Sequence, residues 1–163
     1  MNLSNLLSKK DAKQRTINEI IIHCSATTIE QNITAYDIDK WHKAKGWSGI
    51  GYHFFIRLDG TIEMGRPIYM EGAHCYGHNK HSIGICYAGG VSKQNGTEYF
   101  VDTRTNEQKQ SLITLIRVLL WCFPSIQRVV GHDYYSNKAC PCFDAFKEYI
   151  DIVQQNKDHL QNW

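Results

Sequence analysis

The order of segments along this chain predicts an α/β fold: a single domain with a central mixed β-sheet flanked by helices. Three observations lead to that prediction. Short apolar, β-branched runs alternate with segments of helical periodicity: Ile17–Cys24 precedes a helical stretch, and so do Ser82–Ala88 and Gln127–Gly131. One strong turn signal, Asp59-Gly60, joins two strand-like runs into a local hairpin. The chain has 163 residues, 42% of them hydrophobic and 21% charged, with no internal repeat, low-complexity block or linker, which suits one domain with a full core.

Each element has its own signal. Ile17 to Cys24 is apolar and β-branched and reads as a buried strand, followed by a loop from Ser25 to Asn32. Thr34 with Asp37 three residues later forms a capping box, and the helix it opens places Ile38 and Trp41 on one face and stops near Gly46. Tyr52–Arg57 is the second strand, and Thr61–Met64 returns from the Asp59-Gly60 turn as its partner. Pro67–His81 is a loop rich in glycine and histidine. Ser82–Ala88 is another apolar strand, ended by Gly89-Gly90, and Val91–Arg104 reads as a polar, exposed excursion. Thr105 with Gln108 is a second capping box, opening a long helix whose apolar stripe is Leu112, Leu115, Ile116, Leu119 and Leu120; Pro124 closes it. Gln127–Gly131 is the last strand. Pro141 suits the start of a final helix with Phe146, Tyr149, Ile150 and Val153 inward. The organisation expected is an N-terminal extension over 1–16, one domain over 17–155 and a polar tail over 156–163.

Composition narrows the function classes. A net charge of +2 does not call for a nucleic-acid partner, and no run of 18 apolar residues offers a membrane span. Residues Met1–Arg15 carry Lys9, Lys10, Asp11, Lys13 and Arg15 after a few leucines and lack the apolar block of a secretory signal, so synthesis in the cytoplasm without a signal peptide is expected. Six cysteines in a chain of this length are not a disulfide scaffold. Cys86 and Cys122 lie in apolar runs and read as buried small hydrophobes. Cys24 should face away from His23 if both lie on a strand.

The chemistry concentrates at 131–144, Gly-His-Asp-Tyr-Tyr-Ser-Asn-Lys-Ala-Cys-Pro-Cys-Phe-Asp. One apolar strand ends at His132 and another at His23, and a short polar loop brings Lys138 and Cys140 back past the first. Imidazole nitrogen and thiolate sulfur are both good Zn²⁺ ligands. Three protein ligands leave a fourth tetrahedral position open, the pattern of catalytic rather than structural zinc. Each histidine alone is more often a hydrogen-bonded core residue, and the joint pattern carries the reading. Cys142 competes with Cys140; were both to bind, the site would be closed and structural. Tyr52 and His53 are adjacent on a strand and so face opposite sides of the sheet. Asp133 either supports a ligand from behind or ties down its loop. His74, His78, His81 and Asn79 crowd one loop that either lines a substrate groove or is simply exposed; His74 and Asn79 are its candidate substrate-binding residues.

Several runs then carry a family likeness: His-Cys-Ser-Ala-Thr at 23–27, Gly-Tyr-His-Phe at 51–54, Asp-Gly-Thr-Ile-Glu at 59–63, Gly-Ala-His at 72–74, His-Ser-Ile-Gly-Ile at 81–85 and Lys-Ala-Cys-Pro at 138–141. Together the chain resembles the zinc N-acetylmuramoyl-L-alanine amidases of the phage-lysozyme type, whose superfamily includes the peptidoglycan recognition proteins. The likeness spans about Ile17 to Ile150. It implies a central sheet flanked by helices and one Zn²⁺ per chain on His23, His132 and Cys140. It also implies Tyr52 and Lys138 as catalytic residues, and peptidoglycan or its muropeptides as the substrate. The further expectations are a monomer that neither inserts into membranes nor binds nucleic acid, acting on the cell wall after release or assisted export. Non-catalytic recognition members typically lack the cysteine ligand, so Cys140 favours an enzyme over the alternative of a peptidoglycan-binding module. Cys142, the N-terminal extension and the tail depart from the family pattern.

Overall fold

The computed structural model describes residues 15–161. Seven strands and three α-helices are formed: β1 Glu19–Cys24, α1 Ala35–Ala44, β2 Phe54–Ile56, β3 Ile62–Met64, β4 Ser82–Tyr87, β5 Val91–Gln94, β6 Thr97–Phe100, α2 Asn106–Cys122, β7 Arg128–Gly131 and α3 Ala145–Gln161. Five strands make the central sheet in the order β3-β2-β4-β1-β7. All neighbours run parallel except β2 and β3, the hairpin turned at Asp59-Gly60, so the sheet is mixed as expected. Gly60 takes a left-handed φ of 81° there, which glycine adopts without penalty.

Side-chain alternation divides the sheet into a structural face and a functional one. Ile20, Ile22, Ile83, Ile85, Val129, Phe54 and Ile56 point to one face and join Leu112, Leu115, Ile116, Leu119 and Leu120 of α2 and Tyr149 and Val153 of α3 in the main core. The opposite faces of the same strands carry Phe55 and Cys86, packed against Ile38 of α1, and Ile21 and Val130, packed against Cys75. His23 lies on this second side, one pleat beyond Ile21. Both expected capping boxes form: Thr34 with Asp37, and Thr105 with Gln108. Gln108 is fully buried, and its Nε2 donates to the carbonyls of Ala88 at 2.9 Å and Ile56 at 3.3 Å, tying the first turn of α2 to two strand ends.

The structure departs from the sequence reading in four places. Residues 91–104 are not a plain excursion. They contain the two-stranded sheet β5–β6, turned at Asn95-Gly96, both with positive φ. On α1 the residue that turns inward after Ile38 is His42, four positions on, while Trp41 is 40% exposed; the His42 ring meets Trp47 at a tilt, with centroids 4.5 Å apart, and its Nδ1 accepts the Gly51 N–H at 3.0 Å. Pro141 does not open a helix: α3 begins at Ala145 and continues through Gln161, across most of the expected tail. Phe146 and Ile150 are more than 40% exposed. The buried stripe of α3 is Ala145, Tyr149 and Val153, because the Tyr149 hydroxyl is held by the buried Arg104 guanidinium at 3.1 Å.

Candidate metal centre

Parallel strands β1 and β7 are neighbours in register, with Ile22 opposite Gly131, so both deliver their following residues to the same sheet edge. His23 leaves β1 almost wholly buried, and His132 follows β7 in a single 3-10 turn, His132–Tyr134. The loop after His132 folds straight back: the Asp133 N–H donates to the Cys140 carbonyl at 2.7 Å, and the Ser136 hydroxyl donates to the His132 carbonyl at 3.1 Å. Asp133 itself is exposed and serves this loop closure through its backbone. The outcome is that one ligand atom each from His23, His132 and Cys140 lies within 4.8 Å of the other two. The His23 and His132 ring centroids are 4.6 Å apart, and His23 Nδ1 is 3.8 Å from Cys140 Sγ. Tetrahedral zinc, with Zn–N of about 2.0 Å and Zn–S of about 2.3 Å, needs nitrogen and sulfur about 3.5 Å apart. Donor types and spacing therefore fit a metal ion. This is the group of metal-ligating side chains found among the described residues.

Cys142 does not join it. Its Sγ donates to the Ala139 carbonyl at 2.7 Å and lies 3.8 Å from Cys24 Sγ, which points to the far side of β1 from His23. Cys142 is half-buried with φ of 72° and lies in the loop before α3.

Electrostatics keep the two imidazoles in their metal-binding form. Burial, then the neighbouring His74, His132 and Lys138, push His23 well below the ordinary imidazole pKa. Burial and then Lys138 lower His132 as well, while Asp133 opposes. Both rings are thus neutral near pH 7, with a lone pair to offer. Tyr52 is beside them, its ring 5.0 Å from His23; burial first, then Cys86, Cys140 and Cys24, raise its phenol well above the usual tyrosine range, so it stays a hydrogen-bond donor. Its neighbour His53 also precedes β2, and both rings lie near His74, at centroid distances of 6.5 Å for Tyr52 and 5.7 Å for His53, so strand alternation does not separate them as the sequence suggested. His53 is completely buried, accepting the Gly84 N–H on Nδ1 at 3.0 Å.

Two clefts adjoin at His132, and one of them also reaches Cys140, with His23 buried behind. One, of about 610 Å³, is bordered by Ala26, His42, Tyr52, Phe100 and Cys140; the other, of about 520 Å³, by Tyr76, Asn79, Tyr135 and Ser136. Trp47, Ala73, His74, His132 and Lys138 border both, which puts the exposed Lys138 side chain at their junction. The loop at 67–81 is only partly exposed. Tyr76 is fully exposed, but His74 is buried with Nδ1 at 3.1 Å from His23 Nε2, and Asn79 Oδ1 accepts the N–H groups of His74 and Cys75 at 2.8 and 2.9 Å. His78 stacks on Tyr135 with centroids 3.5 Å apart, while His81 turns outward to the Thr16 carbonyl. Arg15, at the start of the described chain, donates to the carbonyls of Ile68, Met70, Asn79 and Ser82 and so clamps both ends of this loop. The cleft residues missed in the sequence are His42, Trp47, Phe100 and Tyr135. Only His42 had a usable signal, its position four residues after Ile38.

The arrangement is a set of three residues that could hold a metal ion, beside an open groove on an α/β sheet, and such a set with a free fourth position would suit hydrolysis. Comparison with known proteins names the class. The family model described as N-acetylmuramoyl-L-alanine amidase matches residues 13–143, and the chain belongs to that family. It is 40% identical over 139 residues to the endolysin of Enterobacteria phage T3, covering 85% of this chain and 89% of that one, and 39% identical over 139 residues to the endolysin of Escherichia phage T7. Among solved structures, N-acetylmuramoyl-L-alanine amidase LysC from Clostridium intestinale URNW superposes with a TM-score of 0.70 at 34% identity, covering 87% of each chain. Bumblebee PGRP-SA superposes with a TM-score of 0.65 at 27% identity, over 83% of this chain and 81% of that one.

Proposed function

We propose that this chain is a zinc-dependent amidase that hydrolyses the amide bond between the lactyl group of N-acetylmuramic acid and the L-alanine of peptidoglycan. The observation that carries the reading is the complete His23, His132 and Cys140 set, whose His132 borders two adjoining clefts. Such a junction suits a substrate with a glycan on one side of the scissile bond and a peptide on the other. His23, His132 and Cys140 would hold one Zn²⁺. When bound, zinc supplies a Lewis acid that polarises a carbonyl and makes water a competent nucleophile near neutral pH.

The chain's other residues act on the substrate. Lys138 presents an ammonium at the junction and stabilises the negative charge that develops on the amide oxygen as water adds. Tyr52 keeps its proton and donates a hydrogen bond that orients the reacting oxygen. Trp47 and Phe100 offer aromatic surface along the groove. Among the described residues no helix is long and apolar enough to cross a membrane.

A non-catalytic peptidoglycan-binding module is the alternative, and the intact third ligand Cys140 speaks against it. Mass analysis of products from purified wall fragments, with and without chelator, separates the two. The amidase reading expects a free stem peptide ending in an L-alanine amine, lost on chelation and restored by Zn²⁺. Binding with no release, or release that survives chelation, contradicts it.

A further inference from the structure

His74 is built into the site more deeply than a groove-lining residue needs. Its ring is buried between two glycines: a Cβ at Gly84 would fall 2.5 Å from His74 Cδ2, and one at Gly72 would fall 2.4 Å from the same atom. Behind it, His74 Nε2 is 3.3 Å from Ser82 Oγ, and Ser82 Oγ donates to the His78 carbonyl at 2.7 Å. In front, His74 Nδ1 is 3.1 Å from His23 Nε2.

These contacts fix every proton in the row. The His78 carbonyl can only accept, so the Ser82 hydroxyl proton points to it and a Ser82 lone pair faces His74. His74 must then carry its proton on Nε2, leaving the Nδ1 lone pair toward His23. His23 in turn carries its proton on Nε2, which leaves the lone pair on Nδ1, the nitrogen that faces Cys140 Sγ at 3.8 Å. The other His23 tautomer would set two lone pairs against each other 3.1 Å apart and turn an N–H toward the metal position.

We propose that His74, backed by Ser82, is a positioning residue that fixes the tautomer and ring orientation of His23 so that Nδ1 is free to bind the metal. The inference rests on the reading of His23, His132 and Cys140 as the metal ligands. Outer partners of this kind typically alter metal affinity ~10–100-fold when removed. No substrate is involved, so a His74 that only touched muropeptide would leave metal binding untouched.

The test has two arms, neither reading activity. The first is ¹⁵N NMR of the histidine rings in the metal-free wild-type protein. Neutral His23 and His74 both protonated on Nε2 are expected; protonation of either on Nδ1 overturns the proposal. The second is zinc affinity by competition with a chromophoric chelator. His74→Leu should bind zinc ~10–100-fold more weakly than wild type. His74→Asn, whose Oδ1 can accept near the position of Nδ1, should recover most of that loss. Wild-type affinity in folded His74→Leu, or no recovery in folded His74→Asn, overturns the proposal. If His74→Leu does not fold, Ser82→Ala takes its place: a shift of the His74 proton away from Nε2 with weaker zinc binding supports the row, and unchanged spectra and affinity overturn it. A wild-type protein that binds no zinc is a different result, and it overturns the underlying metal reading.

Discussion

Acid should weaken this fold through His53 in particular. The ring is fully buried beside Tyr52, accepts the Gly84 N–H on Nδ1 and sits 3.1 Å from the Met70 carbonyl through Nε2. Burial, aided by Arg15 and Arg66 and opposed by the Met70 carbonyl, lowers its pKa to about 4. An unfolded histidine titrates near ~6.5, so between about 6.5 and 4 the unfolded chain binds a proton that the folded one refuses. Stability from this group is therefore complete above ~6.5 and is lost as pH falls toward 4. At ~1.36 kcal/mol per pH unit the full loss is about 3 kcal/mol, of which about 2 kcal/mol has gone by pH 4.5. The assay is urea denaturation at several pH values between 7 and 4.5, comparing wild type with His53→Asn, whose Oδ1 can still accept from Gly84 but cannot titrate. The variant should be less stable at pH 7 and should have a shallower acid slope by about 2 kcal/mol over that range. Equal slopes would refute the argument that a buried neutral His53 carries this part of the acid sensitivity.

Other substitutions probe the chemistry and the frame separately. Lys138→Ala should lower turnover ~10²–10³-fold while zinc content by metal analysis stays at one per chain; undiminished turnover removes Lys138 from the mechanism. Tyr52→Phe keeps the ring against His23 and loses only the hydroxyl, so turnover should fall ~10²-fold with metal affinity unchanged in a competition titration. Arg104→Met breaks two bidentate pairs, to Asp102 and Glu148, beneath a guanidinium stacked 3.2 Å from the Phe143 ring. Asp102 and Glu148 stay partly solvated, so chemical denaturation should show a loss near the low end for a broken buried pair, about 3 kcal/mol.

Much of the fold was legible because its signals are local. The capping boxes at Thr34 and Thr105, the turn at Asp59-Gly60 and the apolar runs of β1 and β4 each depend on a few adjacent residues. The β5–β6 hairpin was missed although Asn95-Gly96 is a hairpin dipeptide, because its strands are exposed and lack the period-2 apolar pattern that normally supports one. Helical spacing puts Trp41 on the face of Ile38, yet the inward position goes to His42, four residues after Ile38, which accepts the Gly51 N–H and meets the Trp47 ring at a tilt.

The meeting of His23, His132 and Cys140 is legible for a different reason. His23 and His132 each end an apolar run, and neighbouring parallel strands bring their ends together. Nothing in spacing reveals the row behind His23, since His74 and Ser82 lie more than 50 residues downstream and meet it only through the β1–β4 pairing and two glycines that clear the way.

X-ray absorption at the zinc edge, on wild-type protein loaded with one equivalent of Zn²⁺, tests the central claim most directly. One sulfur at about 2.3 Å and three nitrogen or oxygen neighbours at about 2.0–2.1 Å are expected, with the sulfur lost in Cys140→Ser and retained in Cys142→Ser. A shell with two sulfurs, or one unchanged in Cys140→Ser, would contradict an open three-ligand centre on His23, His132 and Cys140.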